Sequence, residues 1–214
     1  LGIICISIVV VIQSLLFADG GLSALGINVL NMAIITSLVG WLTISSWKKL
    51  FGEANISIIS GSIVAGILSV VFSSIAFVFE YALGGTVSVP LGSVLIAMVS
   101  SHLLIGLGEG VITALIVSLL LRVRSDLIYI KTNNDKKNSK SSFYGLFIFL
   151  LLCLTLITPY ASSSPDGLES VAGDFGFSED SGIVLLLEDY GISGLNNDFL
   201  STALSAVLGV VVVI

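Results

Sequence analysis

The sequence has too little charge to cover a soluble protein. Of its 214 residues, 10% are charged, with eight Lys or Arg and fourteen Asp or Glu, whereas 56% are hydrophobic. The mean hydropathy is +1.13. A soluble chain of this size needs a charged exterior, so lipid is the expected solvent. Cysteine is equally scarce. Cys5 and Cys153 both sit within apolar runs, a placement that supports neither a disulfide framework nor a thiolate metal centre. There is no Gly-x-x-x-x-Gly-Lys-Ser/Thr phosphate loop, which excludes hydrolysis of a nucleoside triphosphate on such a loop in this chain. No internal repeat of fixed period is present, and no nucleophile–base pair stands out. Ser100 and Ser101 precede His102, but neighbours on a helix point about 100° apart.

What the chain has is long apolar runs, at about residues 1–17, 28–45, 56–82, 91–121, 143–160 and 199–214. About twenty residues at ~1.5 Å rise cross a hydrocarbon core of ~30 Å. The expected fold is therefore all-α, a polytopic transmembrane bundle of about six spans or part-spans. The fourth run is long and is expected to open with a non-spanning lead-in around Pro90 and Gly92. All eight basic residues lie at Lys48/Lys49 or between Arg122 and Lys140, and eight of the fourteen acids lie between Asp166 and Asp198. With Lys48/Lys49 in the cytoplasm, successive crossings return Arg122 and Arg124 to the same side and leave the acidic stretch outside, as the positive-inside rule requires. The polar stretch 131–142 reads as a cytoplasmic linker. It separates a membrane domain, 1–130, from a second domain, 143–214, in which two spans flank the acidic external loop. The first residue is Leu1 and the chain is apolar from there, with no basic n-region and no cleavage signal. The expectation is an N-terminally truncated chain that starts inside a helix.

Polar groups at membrane depth mark candidate sites. His102, the sole histidine, and Glu109 are seven residues apart and so share a helical face two turns apart. Ser101 and Thr113 flank that stripe, and Gly106, Gly108 and Gly110 permit close helix packing. The stripe reads either as the lining of a metal pocket or as a structural seam, with Glu109 protonated or bonded to a neighbouring helix. One His and one Glu are too few for a transition metal, which takes about four ligands. Asp19-Gly20-Gly21 is a turn signal. Asn28 and Asn31, three apart, are expected on one helix face, as carbonyl donors near a cation or as interhelical bonds. Glu80 is expected at the interface, near the outer end of the third run.

Three motifs carry a family resemblance. Residues 17–32, running from Phe17-Ala-Asp-Gly-Gly to Asn28-Val-Leu-Asn-Met32, resemble the CbiM/NikM family of metal-capture components of energy-coupling-factor transporters. His102-Leu-Leu-Ile-Gly-Leu-Gly-Glu-Gly-Val-Ile-Thr113, followed by Arg122-Val-Arg-Ser-Asp-Leu127, resembles the family's last helix and its cytoplasmic end. Pro165-Asp166-Gly167-Leu168-Glu169 is similar to the signature of the PDGLE domain, a counterpart of the small CbiN/NikN accessory subunit. The resemblance implies a multi-pass protein of the cell membrane that supplies specificity to an ATP-driven uptake transporter. Its transported substrate would be Co²⁺ or Ni²⁺, with no resident cofactor and no nucleic acid. It further implies a transmembrane coupling subunit (CbiQ/NikQ-like) and cytoplasmic ATPases (CbiO/NikO-like), with ATP hydrolysed on those partners and not on this chain. In the family the metal is held chiefly by an N-terminal Met-His start and a further histidine, positions that precede Leu1. His102, Glu109, Asn28, Asn31 and Asp19 are accordingly expected to line or support a pocket. The alternatives are an ion-coupled secondary transporter or channel, with His102 and Glu109 as a proton relay, and a non-transporting membrane scaffold.

Overall fold

The computed structural model describes residues 1–17, 20–85, 89–123, 128, 145, 148, 151–153, 155, 157–160, 167–176, 187, 190–192 and 194–213. The linker, Asp19, Pro165, Asp166 and eight of the eighteen residues of the fifth apolar run lie outside the described residues. Helix α1 (Gly2–Ile12) continues as a π-helical turn, Gln13–Phe17. Helix α2 (Leu25–Asn28) passes through a π-helical stretch, Val29–Ile35, into α3 (Thr36–Phe51). Then come α4 (Asn55–Gly84), α5 (Leu91–Val123), the short α6 (Gly167–Asp174) and α7 (Asp198–Val213). Three helical stretches, Leu25–Phe51, Asn55–Gly84 and Leu91–Val123, are long and apolar enough to cross a membrane. The described residues include no strand, and the bundle is all-α.

The chain forms two compact units. One comprises Leu30–Asn138 with Pro165–Glu179, the other Leu1–Val29 with Ser139–Ser164 and Asp180–Ile214. The first is built on α4 and α5, which run antiparallel with their backbones nearly touching. A Cβ added at Gly66 would stand 2.8 Å from the Gly110 Cα, and one added at Gly110 would stand 2.8 Å from the Ile63 carbonyl oxygen. One turn on, Gly106 faces the Ile67 backbone, where a Cβ would have 3.2 Å. Lipid offers apolar side chains the same surroundings that a neighbouring helix does, so association rests on this kind of close packing. Gly108, the middle glycine of the motif, points into open space. It lies about 200° around the helix from both Gly106 and Gly110.

Helix α3 packs along α4 in the same antiparallel sense. Trp47 Nε1–H donates to Ser60 Oγ at 3.1 Å, and Ser69 Oγ–H donates to the Thr36 carbonyl at 3.1 Å. Gly61 lies under the Trp47 ring, where a Cβ would have only 2.8 Å. The α3–α4 turn is closed by Gly52, at φ +78°, and by a Lys48–Glu53 ion pair at 2.6 Å. These registers put Lys48, Lys49 and Arg122 at one end of the unit and the α4–α5 connection at the other.

The expected lead-in to the fourth run is not seen, because α5 is one continuous helix of 33 residues from Leu91, with Gly92 in its first turn. Pro90 precedes it, and its carbonyl accepts from the Ser93 and Val94 N–H groups at 2.9 and 3.2 Å. A proline has no N–H to leave orphaned at a helix start, so here it begins the helix instead of interrupting it.

In the other unit, Tyr190 (φ +59°) stacks on Phe17 with ring centroids 4.7 Å apart and accepts a hydrogen bond from Gln13 Nε2–H at 3.0 Å. Helix α7 buries Ser201 and Ser205, and the ring of its Phe199 meets Tyr160 edge-on at 5.9 Å.

Valine at position 110 should drive α4 and α5 apart, because its nearest neighbours would be backbone atoms that no rotamer change can move. The expected cost is at least the ~1–3 kcal/mol of an overpacked core, read as a lower melting midpoint in detergent micelles. Gly108→Val, facing open space, should melt within about 0.5 kcal/mol of the parent. Equal effects at both positions would rule out the seam.

Candidate functional site

At the end of the bundle opposite the basic residues, α4 and α5 open a small apolar seat. Val78, Val94 and Met98 form a buried cluster, and Val171 of α6 enters it at 4% exposure, with Phe77, Tyr81, Val89, Ala97 and Phe175 packed around. The α4–α5 connection is pinned to the same place by the Val89 N–H, which donates to Tyr81 Oη at 3.2 Å. Glycine of the Pro165–Glu169 motif makes the next contact. Gly167 lies directly against the imidazole of His102, where a Cβ would stand 3.1 Å from the ring Cε1 and 2.8 Å from Ile105 Cδ1. A larger residue could not start α6 here without moving the ring. The side chains of Leu168 and Glu169, like Pro165 and Asp166, lie outside the described residues.

The half-buried ring of His102 is held from its own helix as well. Nδ1 lies 2.8 Å from the Met98 carbonyl oxygen. A carbonyl can only accept, so Nδ1 carries the proton, and in the neutral ring Nε2 is left with the lone pair. Metal-binding histidines are commonly oriented this way, with the second ring nitrogen donating to a backbone carbonyl. Ser101 Oγ–H is used on the Ala97 and Met98 carbonyls, at 2.9 and 3.1 Å.

The stripe expected from spacing is only partly assembled. His102 sits under α6, but Glu109, two turns deeper, is exposed and makes no hydrogen bond among the described residues, and Thr113 is exposed too. Asn28 and Asn31 serve different partners. Asn28 Nδ2–H donates to the Gly20 carbonyl at 3.1 Å, closing the turn after Asp19 through two left-handed glycines. Asn31 Nδ2–H donates to Glu80 Oε2 at 2.9 Å. Glu80 lies one turn from the end of α4, half-buried, and its other oxygen is buried. Sequence spacing could not signal this pair, because its members are 49 residues apart. No group of three or more His, Cys, Asp or Glu placed to hold a metal ion occurs among the described residues.

Residues 1–127 match the family described as "Cobalt uptake substrate-specific transmembrane region" (CbiM), and residues 140–214 match the PDGLE domain. The whole chain aligns at 31% identity with 69% of a fused nickel transport protein, NikMN, of Archaeoglobus fulgidus. Another fused nickel transport protein, LarMN of Lactiplantibacillus plantarum, is 28% identical over 96% of this chain and 68% of its own length. The cobalt transport protein CbiM of Geobacter sulfurreducens is 30% identical over 59% of this chain and 36% of its own. No solved structure matches. The chain belongs to the CbiM family of cobalt-uptake transmembrane regions, fused to a PDGLE domain.

Proposed function

We propose that this chain is the metal-capture component of an ATP-driven uptake system for Co²⁺ or Ni²⁺, working in the cell membrane beside a transmembrane coupling subunit and cytoplasmic ATPases. The observation that carries the reading is the order of the two matched regions, a cobalt-uptake region followed by a PDGLE domain, in a chain whose whole length aligns with 69% of a fused nickel transport protein. The sequence has no phosphate loop, which supports placing ATP hydrolysis on a partner. Borderline metals such as Co²⁺ and Ni²⁺ favour nitrogen donors, and His102 Nε2 is the nitrogen that this chain offers next to the motif helix. The basic end of the bundle faces the cytoplasm on this reading, in keeping with the positive-inside rule. The α6 seat then faces outside, where metal arrives.

Two experiments test this. In cells that express the chain with its coupling and ATPase subunits, replacing the phosphate-loop lysine of the ATPase should reduce Co²⁺ or Ni²⁺ uptake to background. Uptake that continues undiminished would favour ion-coupled secondary transport instead. Gly167→Val should displace α6 from His102 and lower uptake at least about tenfold, the loss typical when a group that orients a ligand is removed. Gly173→Val serves as the control, because nothing lies within 4 Å of Gly173. If the two variants transport alike, the contact between Gly167 and His102 has no part in uptake.

A further inference from the structure

The Asn31–Glu80 pair is not explained by packing alone. Asn31 is 7% exposed and lies in the π-helical stretch Val29–Ile35, a geometry that interrupts α-helices frequently at functional sites. Its backbone carbonyl accepts from Ser73 Oγ–H at 3.3 Å, and its Nδ2–H donates to Glu80 Oε2. Those bonds lock the amide against the carboxyl. They leave one oxygen on each group, Asn31 Oδ1 and Glu80 Oε1, buried and with no hydrogen-bond partner.

Both orphaned atoms are acceptors, so the missing partner is a positive charge or a donor. Lys48, Lys49 and Arg122 belong to the opposite end of the bundle, and a buried carboxylate without a counter-charge is strongly disfavoured. Two hard oxygens, one anionic and one neutral, on groups joined by a hydrogen bond, are the donor type that carboxylate- and carbonyl-binding cations select. We infer that Asn31 Oδ1 and Glu80 Oε1 form a cation site for a divalent ion, with water filling the rest of its shell. The site is chemically distinct from the imidazole nitrogen of His102, and it stands independently of the transport reading. A proton on Glu80 is the competing occupant.

The test is Mn²⁺ binding to the full chain in detergent micelles, followed by the electron paramagnetic resonance signal of the free ion, in ~0.15 M salt to screen the acidic loop. The parent should show a tightest class of about one Mn²⁺ per chain. Glu80→Gln removes the charge yet can still accept the Asn31 bond, so the helices should remain intact by circular dichroism. It should weaken that class at least about tenfold, because affinity at oxygen sites follows ligand charge. Asn31→Ala should weaken it as well, and His102→Ala should leave it unchanged. A parent without that class, or Glu80→Gln binding as tightly as the parent, would overturn the site and leave the pair holding a proton. Loss of ATPase-dependent uptake with Mn²⁺ binding intact would count against the transport reading alone.

Discussion

The approach of the α4 and α5 backbones at Gly66, Gly106 and Gly110 is the constraint on which the described bundle depends. Inside a membrane there is no water to drive apolar faces together, so helices associate where small residues let backbones come close. That contact fixes the antiparallel register. The register in turn brings Val78 of α4 level with Val94 and Met98 of α5 and opens the seat that α6 fills. It also sets the basic ends of α3 and α5 together at the opposite pole.

Two polar devices depend on that frame, and they differ in chemistry. His102 offers a single nitrogen, its other ring nitrogen tied to the Met98 carbonyl and its ring covered by the backbone of Gly167. Asn31 and Glu80 offer oxygens only, joined by a hydrogen bond between the π-helical stretch and α4. Glu109, despite its spacing from His102, makes no hydrogen bond to either device among the described residues.

How much of this could be read from the chain follows from the range of each interaction. Apolar runs are a local signal, so the three long helices Leu25–Phe51, Asn55–Gly84 and Leu91–Val123 could be read directly, as could the family, whose motifs are contiguous. The glycine motif of α5 pointed correctly to close packing, but only two of its three glycines face the seam. Spacing alone cannot say which side of a helix another helix will occupy. Pro90 misled because proline stops a helix from within and suits its first turn equally well. Asn28 and Asn31 serve different partners, Asn28 at the end of α2 and Asn31 in the π-helical stretch that follows. The Asn31–Glu80 bond and the seating of Gly167 on His102 could not be read at all, since each joins residues that only the folded bundle brings together.

The most direct test of the account is whether α6 docks on the α4–α5 seat in the native membrane. With Cys5 and Cys153 replaced by Ser, cysteines would be placed at Val94 and Val171 and a protease site in the 131–142 linker. After treatment with a short bismaleimide and cleavage of the linker, the account predicts two fragments that stay joined on a denaturing gel. Fragments that separate, from a chain whose α4 and α5 remain packed, would contradict it.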